Sequence, residues 1–154
     1  MARNKNALRQ HFVQAYEAGK EPTEEGWLPL AHYISNIGVE PNESTEEEAF
    51  YDGDGTLQET VTGVARAYTP EGFYDPEDAA QQLIADMQDE VGDNRKLWHK
   101  VIRADGKVQW VGEAMALNII AGAGEASTFE EFSCTIRFIE KPEKSEVTPG
   151  GSGE

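Results

Sequence analysis

Only one stretch of this sequence, Asp75 to Gly92, carries a full set of helix signals, and nearly everything around it is patterned for strands. Asp75 is placed to cap the first turn, Pro76 suits that turn, and Glu77 and Asp78 suit the positive end of the dipole. Ala79, Ala80, Leu83, Ile84, Met87 and Val91 recur at helical spacing, and Gly92 supplies a C-terminal stop. The spacing predicts a helix over residues 76–91. A chain of 154 residues with a single helix of that length must build the rest of its core from sheet.

The strand signals are distributed on both sides of that helix. Trp27 to Val39 is rich in strand formers, and a strand is expected around residues 30–37. Leu57 to Tyr68 reads as a second strand with Gly63 as a bulge position. Leu97 to Arg103, the Asp105-Gly106 turn and Val108 to Ile120 form a hairpin pattern. Gly122-Ala123-Gly124 then turns the chain. In the last strand Phe132, Cys134, Ile136 and Phe138 alternate with Glu131, Ser133, Thr135 and Arg137, so one face is buried. The expected fold is mainly β with one helix (α+β): an antiparallel sandwich or open barrel flanked by the helix.

Two regions fall outside this pattern. Residues 1–20 place Leu8, Phe12, Val13 and Tyr16 at a spacing that suits a short amphipathic helix or docking arm. From Gly38 to Thr56 there is almost nothing to bury, and a loop spanning 39–56 is expected, folded as an extended hairpin arm. Loops this long within a compact domain tend to be functional. After Glu140 the composition collapses to Lys, Pro, Glu, Ser and Gly, the mark of a flexible tail over 142–154.

The charge is uneven. Thirteen basic against twenty-nine acidic residues give −16, and Glu40 to Asp93 holds sixteen carboxylates with Arg66 as its one basic residue. Such a field repels nucleic-acid phosphates. On charge alone it reads first as a solvated acidic surface that keeps the protein soluble, and the sharper reading is a surface past which a polyanion slides. No apolar run reaches the length of a membrane span, and the basic start is not followed by a secretion-type apolar segment. Synthesis and folding in a cytoplasm are expected.

No reaction chemistry emerges from the motifs. Asp52-x-Asp54-x-Thr56 opens like a calcium loop, but Leu57 stands where glycine is needed and Gly63 where a bidentate Glu belongs. His11, His32 and His99 are scattered without ligand spacing, and each reads as packing or surface. Cys134, the single cysteine, reads as a buried apolar residue and excludes an internal disulfide. No metal, cofactor or catalytic residue is expected.

The order of parts resembles the major tail tube proteins of long, non-contractile (siphovirus-type) bacteriophage tails, a fold shared with inner tubes of contractile tails and of type VI secretion. The resemblance covers residues 27–141. It rests on Trp27-Leu28-Pro29-Leu30, the acidic loop through Tyr51-Asp52-Gly53-Asp54-Gly55, Thr60-Val61-Thr62-Gly63 and Tyr68-x-x-Glu71-Gly72. It continues through the Asp75–Gly92 helix, Trp98-His99-Lys100, Asp105-Gly106 and Glu131-Phe132-Ser133.

The resemblance implies a structural virion protein whose rings, hexameric in that family, stack into a tube through which DNA passes without specific binding. It implies an N-terminal arm over 1–26, a tube domain over 27–141 and the tail. It also implies inter-ring contacts at Glu46, Glu47, Glu48, Phe50 and Tyr51, and lumen positions at Glu59, Glu113 and Glu131. The expected partners are other copies of the chain and the tail tip, tape-measure and tail terminator proteins, with no membrane. A tail terminator or other ring protein of the tail is one alternative. An acidic DNA-mimic inhibitor, a monomer with a basic partner, is the alternative from another class.

Overall fold

Among the described residues the strand-forming segments give ten strands, and eight of them join into one antiparallel sheet. The computed structural model describes residues 3–51, 53 and 55–147. The elements are β1 (Gln10–Ala15), β2 (Leu28–Pro29), β3 (Ile34–Glu40), β4 (Glu43–Glu48), β5 (Gln58–Val64), β6 (Ala67–Phe73), α1 (Ala79–Ala85), β7 (Lys96–Ile102), β8 (Val108–Ala121), β9 (Glu131–Phe138) and β10 (Glu143–Glu146). Neighbours in the main sheet run β2-β1-β7-β8-β9-β6-β3, and β10 pairs with β8. The sheet is curled like half of a barrel. β4 and β5 form a separate two-stranded sheet.

The core fills the sheet face that α1 covers. Alternation puts Phe132, Cys134, Ile136 and Phe138 of β9 inside, as the sequence predicts. Leu97, His99 and Val101 of β7 and Gly112, Ala114 and Ala116 of β8 face the same way. The small residues of β8 leave room for Ile84 and Ala80 of the helix and for Phe132, all almost completely buried. Burial of several large apolar side chains, each contributing on the order of 1.5–3 kcal/mol, is the principal term holding the helix to the sheet.

The helix is shorter than its apolar spacing predicts. The N-cap is Asp78, whose carboxylate accepts from the Gln81 N–H at 3.1 Å, while Asp75 accepts from Glu77 N–H at 2.9 Å and closes the turn before it. After Ala85 the bonds tighten to Met87 N–H on Ile84 and Gln88 N–H on Ala85. Two causes are visible. Asp86, Asp89 and Glu90 sit at the negative end of the dipole, where carboxylates are unfavourable. The Arg95 guanidinium, furthermore, takes the carbonyls of Gln88 and Glu90 at 2.9 and 2.8 Å, together with that of Ala116 at 3.1 Å. Val91, expected on the apolar face, is exposed.

The N-terminal region is strand rather than amphipathic helix. β1 pairs with β7 along its whole length, from Gln10 opposite Ile102 to Ala15 opposite Leu97. Hydrogen bonding to a central strand outweighs the helical spacing of a handful of apolar residues. Of the strand expected around 30–37 only the second half is strand, in β3; a turn with Tyr33 in the left-handed region (φ 63°) separates it from the two-residue β2. That turn lies against Gly72, where an added Cβ would collide with the Tyr33 carbonyl. The strand expected over 57–68 divides into β5 and β6. Part of the expected tail, Glu143–Glu146, is β10, paired on β8 from Val108 to Val111. The tail residues 148–154 lie outside the described residues.

Candidate functional site: the hairpin arm and the open sheet face

The long segment after β3 is an arm built from β4 and β5. Its base is closed by Asn42 in a left-handed conformation (φ 49°), whose carbonyl accepts from Ala65 N–H at 3.3 Å and whose amide donates to the Ala65 carbonyl at 2.9 Å. The loop expected over 39–56 is therefore only the first half of the arm. The second half is β5, whose Thr and Val residues serve the arm and not the main sheet. Its register shifts between Ser44 and Thr45, opposite Val61–Gly63, next to the glycine predicted to bulge.

Every residue of β4 is exposed, and so is every residue of β5 except half-buried Gly63. The tip carries Phe50 and fully exposed Tyr51, followed by exposed Leu57. Glu46, Glu48 and Phe50 share one side with Gln58, Thr60 and Thr62. On the other side Glu47 stands directly opposite Glu59, and Thr45 opposite Val61. Like charges at directly opposed strand positions repel. An arm that buries nothing and places two carboxylates face to face gains no stability from its own surface.

The candidates named from sequence thus fall into two groups. Glu46, Glu47, Glu48, Phe50 and Tyr51 lie together on the arm, and Glu59 joins them there instead of lying with Glu113 and Glu131 on the main sheet. Glu113 is half-buried in β8, on the sheet face turned away from α1, with its carboxylate 3.9 Å from Lys96 Nζ. Glu131 begins β9 opposite Phe73 and is exposed.

That face is not uniformly acidic. Cross-strand register places Lys96, Met115 and Arg137 in one row, Trp98 beside Glu113, and Glu71 beside Ser133. Lys100 lies between the rings of Phe12 and Trp27, 4.8 and 4.9 Å from their centroids, and burial lowers its pKa. The face carries cations and carboxylates interspersed, and the acidic excess of the chain sits on the arm and around the helix.

The buried polar groups form a second cluster that local spacing does not announce. His11 and His99 lie 88 positions apart in the chain, yet β1–β7 pairing brings His11 Nδ1 to 3.3 Å from His99 Nε2. Arg9 Nε donates to His11 Nε2 at 3.2 Å. Tyr68 meets both rings edge-on, and Phe138 stacks on His99 at 5.4 Å. Burial first, then the Arg9 charge, pushes His11 down to about 4, and burial holds His99 well below the usual imidazole range. A sequence signal for His99 did exist: it occupies the inward phase of Leu97-x-His99-x-Val101.

Gln81 is another such residue. Fully buried, it donates to the carbonyls of His32 and Phe73 at 3.0 and 3.1 Å and accepts from Asp75 N–H at 2.7 Å. It ties the helix to the chain before β3 and to β6. His32 is on the surface, 3.0 Å from the Asp75 carboxylate. Cys134 is buried, and burial pushes its thiol up to about 12, so the reactive thiolate is suppressed. Among the described residues no group of three or more His, Cys, Asp or Glu side chains could hold a metal ion. Asp52 and Asp54, the opening of the calcium-like motif, lie outside the described residues. No helix among those described is long and apolar enough to cross a membrane.

Comparison with solved structures identifies the fold that the curled antiparallel sheet and its flanking helix make. The chain is similar to a chain of the tail of an empty GTA particle refined helically with C6 symmetry: TM-score 0.64, 14% identity, covering 96% of this chain and 100% of that one. It is also similar to a chain of the extended sheath-tube complex of PVC, an extracellular contractile injection system (TM-score 0.59, 10% identity, 94% and 93% covered). A third is in the tube-terminating cap of the anti-feeding prophage AFP (TM-score 0.59, 12% identity, 96% and 93% covered). At these identities the likeness is one of fold, and the chain has the tail-tube fold. No family model and no curated protein sequence matches it.

Proposed function

We propose that this chain is a structural virion protein that polymerises as stacked hexameric rings into the tube of a long, non-contractile phage tail. The observation carrying this reading is the arm: an exposed hairpin on a curled sheet whose two terminal strands, β2 and β3, are open. Open edges and an exposed arm are liabilities in a monomer, and ring closure and stacking remove both. The sheet face bearing Glu113 and Glu131 lines the lumen in this reading. Of its cations, Lys96 is paired with Glu113 and Lys100 is held between the Phe12 and Trp27 rings, which reduces the charge a DNA phosphate would meet. Its partners are other copies of the chain and the tail tip, tape-measure and tail terminator proteins, in a virion made in a bacterial cytoplasm.

Negative-stain electron microscopy of the concentrated chain tests this, with a deletion of residues 43–64 joined across the Asn42–Ala65 base by two glycines. Tubes with six-fold end views from the wild type, and folded, non-polymerising subunits from the deletion, are expected. Normal tubes from the deletion would remove the arm from the mechanism. The likeness to the AFP tube-terminating cap favours a second reading, a tail terminator, which would give single closed rings and no tubes.

A further inference from the structure

Beside the arm, the least satisfied surface of the molecule is the open seam of the curled sheet. It is a groove of about 420 Å³ between the start of β1 and β3, walled by Phe12, Pro29, Leu30, Ile34 and Ile37. Its one charged wall residue is Arg9, half-buried, which donates to His11 and Asn6 and has no carboxylate partner among the described residues. Arg3 and Lys5, just before it, are exposed and also take part in none of the ion pairs formed among the described residues. This cationic, apolar-walled groove complements the arm face that carries Glu47 opposite Glu59, with Val61 and Leu57 alongside.

We propose that the groove is the receptor for the arm of a second copy of this chain. In the docked pair the Arg9 guanidinium sits between the Glu47 and Glu59 carboxylates, and Val61 and Leu57 meet the groove walls. Each side supplies what the other lacks. The opposed carboxylates gain a cation that relieves their repulsion, and the Arg9 guanidinium, which keeps its bonds to His11 and Asn6, gains charged acceptors for its remaining N–H groups. Within the subunit Glu47, Leu57, Glu59 and Val61 are all exposed, so the arm does not fill its own groove and a second copy must supply it. This inference rests on the proposed self-assembly and adds the identity of the contacting surfaces.

The test is a charge exchange in the full chain, read by sedimentation and electron microscopy as the concentration at which tubes form. Glu47→Lys with Glu59→Lys alters only exposed arm positions and leaves the core untouched. It is expected to raise that concentration at least tenfold, on the order expected for losing a charge-assisted contact. Arg9→Glu is expected to do the same, and the triple exchange to recover most of the loss. Because a misfolded subunit cannot be rescued by arm substitutions, that recovery separates docking from damage to the His11 contact. Loss of tubes in the residue 43–64 deletion together with unchanged tubes in both charge variants would overturn the groove alone. A wild-type chain that stays monomeric at every concentration would overturn both this inference and the assembly reading.

Discussion

At the scale of single residues, the His11–His99 pair shows how the fold fixes protonation without a functional site. An arginine N–H is always a donor, so Arg9 Nε makes His11 Nε2 an acceptor. His11 Nδ1 then carries the hydrogen and donates to His99 Nε2, which leaves the hydrogen of His99 on Nδ1, a buried atom with no partner. Both rings must stay neutral for this chain of donors to hold. Their folded pKa values lie below the unfolded value near 6.5, so between about 6.5 and about 4 the unfolded chain binds more protons. This contribution to stability is complete above pH 6.5 and is lost as the pH falls toward 4. For His11 it amounts to roughly 3 kcal/mol. Protonation of exposed carboxylates acts in the opposite direction by reducing self-repulsion, so the measurement must be a difference. The melting temperature of His99→Gln is expected to fall less steeply from pH 7 to 4 than that of the wild type. Parallel slopes would show that the imidazoles do not govern acid stability.

At the scale of elements, a helix of seven residues is too short to stand alone and depends on its cap and on packing. Asp78→Ala removes the side-chain acceptor for Gln81 N–H and is expected to cost about 1 kcal/mol, measured by denaturant unfolding. A midpoint shifted by far less would mean that Ile84 burial and the Gln81 bonds alone set the helix. The same element shows what the sequence conveyed and what it hid. Ala80, Ile84 and Met87 were legible because one stripe of the helix is buried, and β9 was legible because one face of the strand is. The helix boundaries were not, since they depend on Arg95 reaching back to Gln88 and Glu90 and on which of two aspartates wins the cap. The β5–β6 division was hidden for a similar reason: Leu57–Tyr68 is uniformly strand-forming, and the break is imposed by Asn42 gripping Ala65 from across the arm. β1 misled because buried His11 and Gln14 interrupt the apolar alternation by which a strand is recognised. The arm itself could be read from its lack of anything to bury, but the move of Glu59 onto it followed from β4–β5 register, which no single segment encodes.

At the scale of the whole molecule, the net charge of −16 and the arm's short-range contacts pull assembly in opposite directions. Repulsion between subunits acts across the Debye length, about 30 Å at 0.01 M salt and about 8 Å at 0.15 M. An arm carboxylate against a half-buried guanidinium acts at contact distance and is screened far less. Apolar contacts by Phe50, Tyr51, Leu57 and Val61 are not weakened by salt. Raising the ionic strength from about 0.01 to about 0.15 M should therefore promote polymerisation, because it removes the long-range repulsion first. Over the same range the handicap of Arg9→Glu should shrink, since that variant adds charge to an already acidic subunit. Light scattering across a salt series at fixed protein concentration measures both effects. Scattering that is greatest at the lowest salt would mean that attraction between acidic and basic surfaces, and not the net charge, governs how these subunits approach one another.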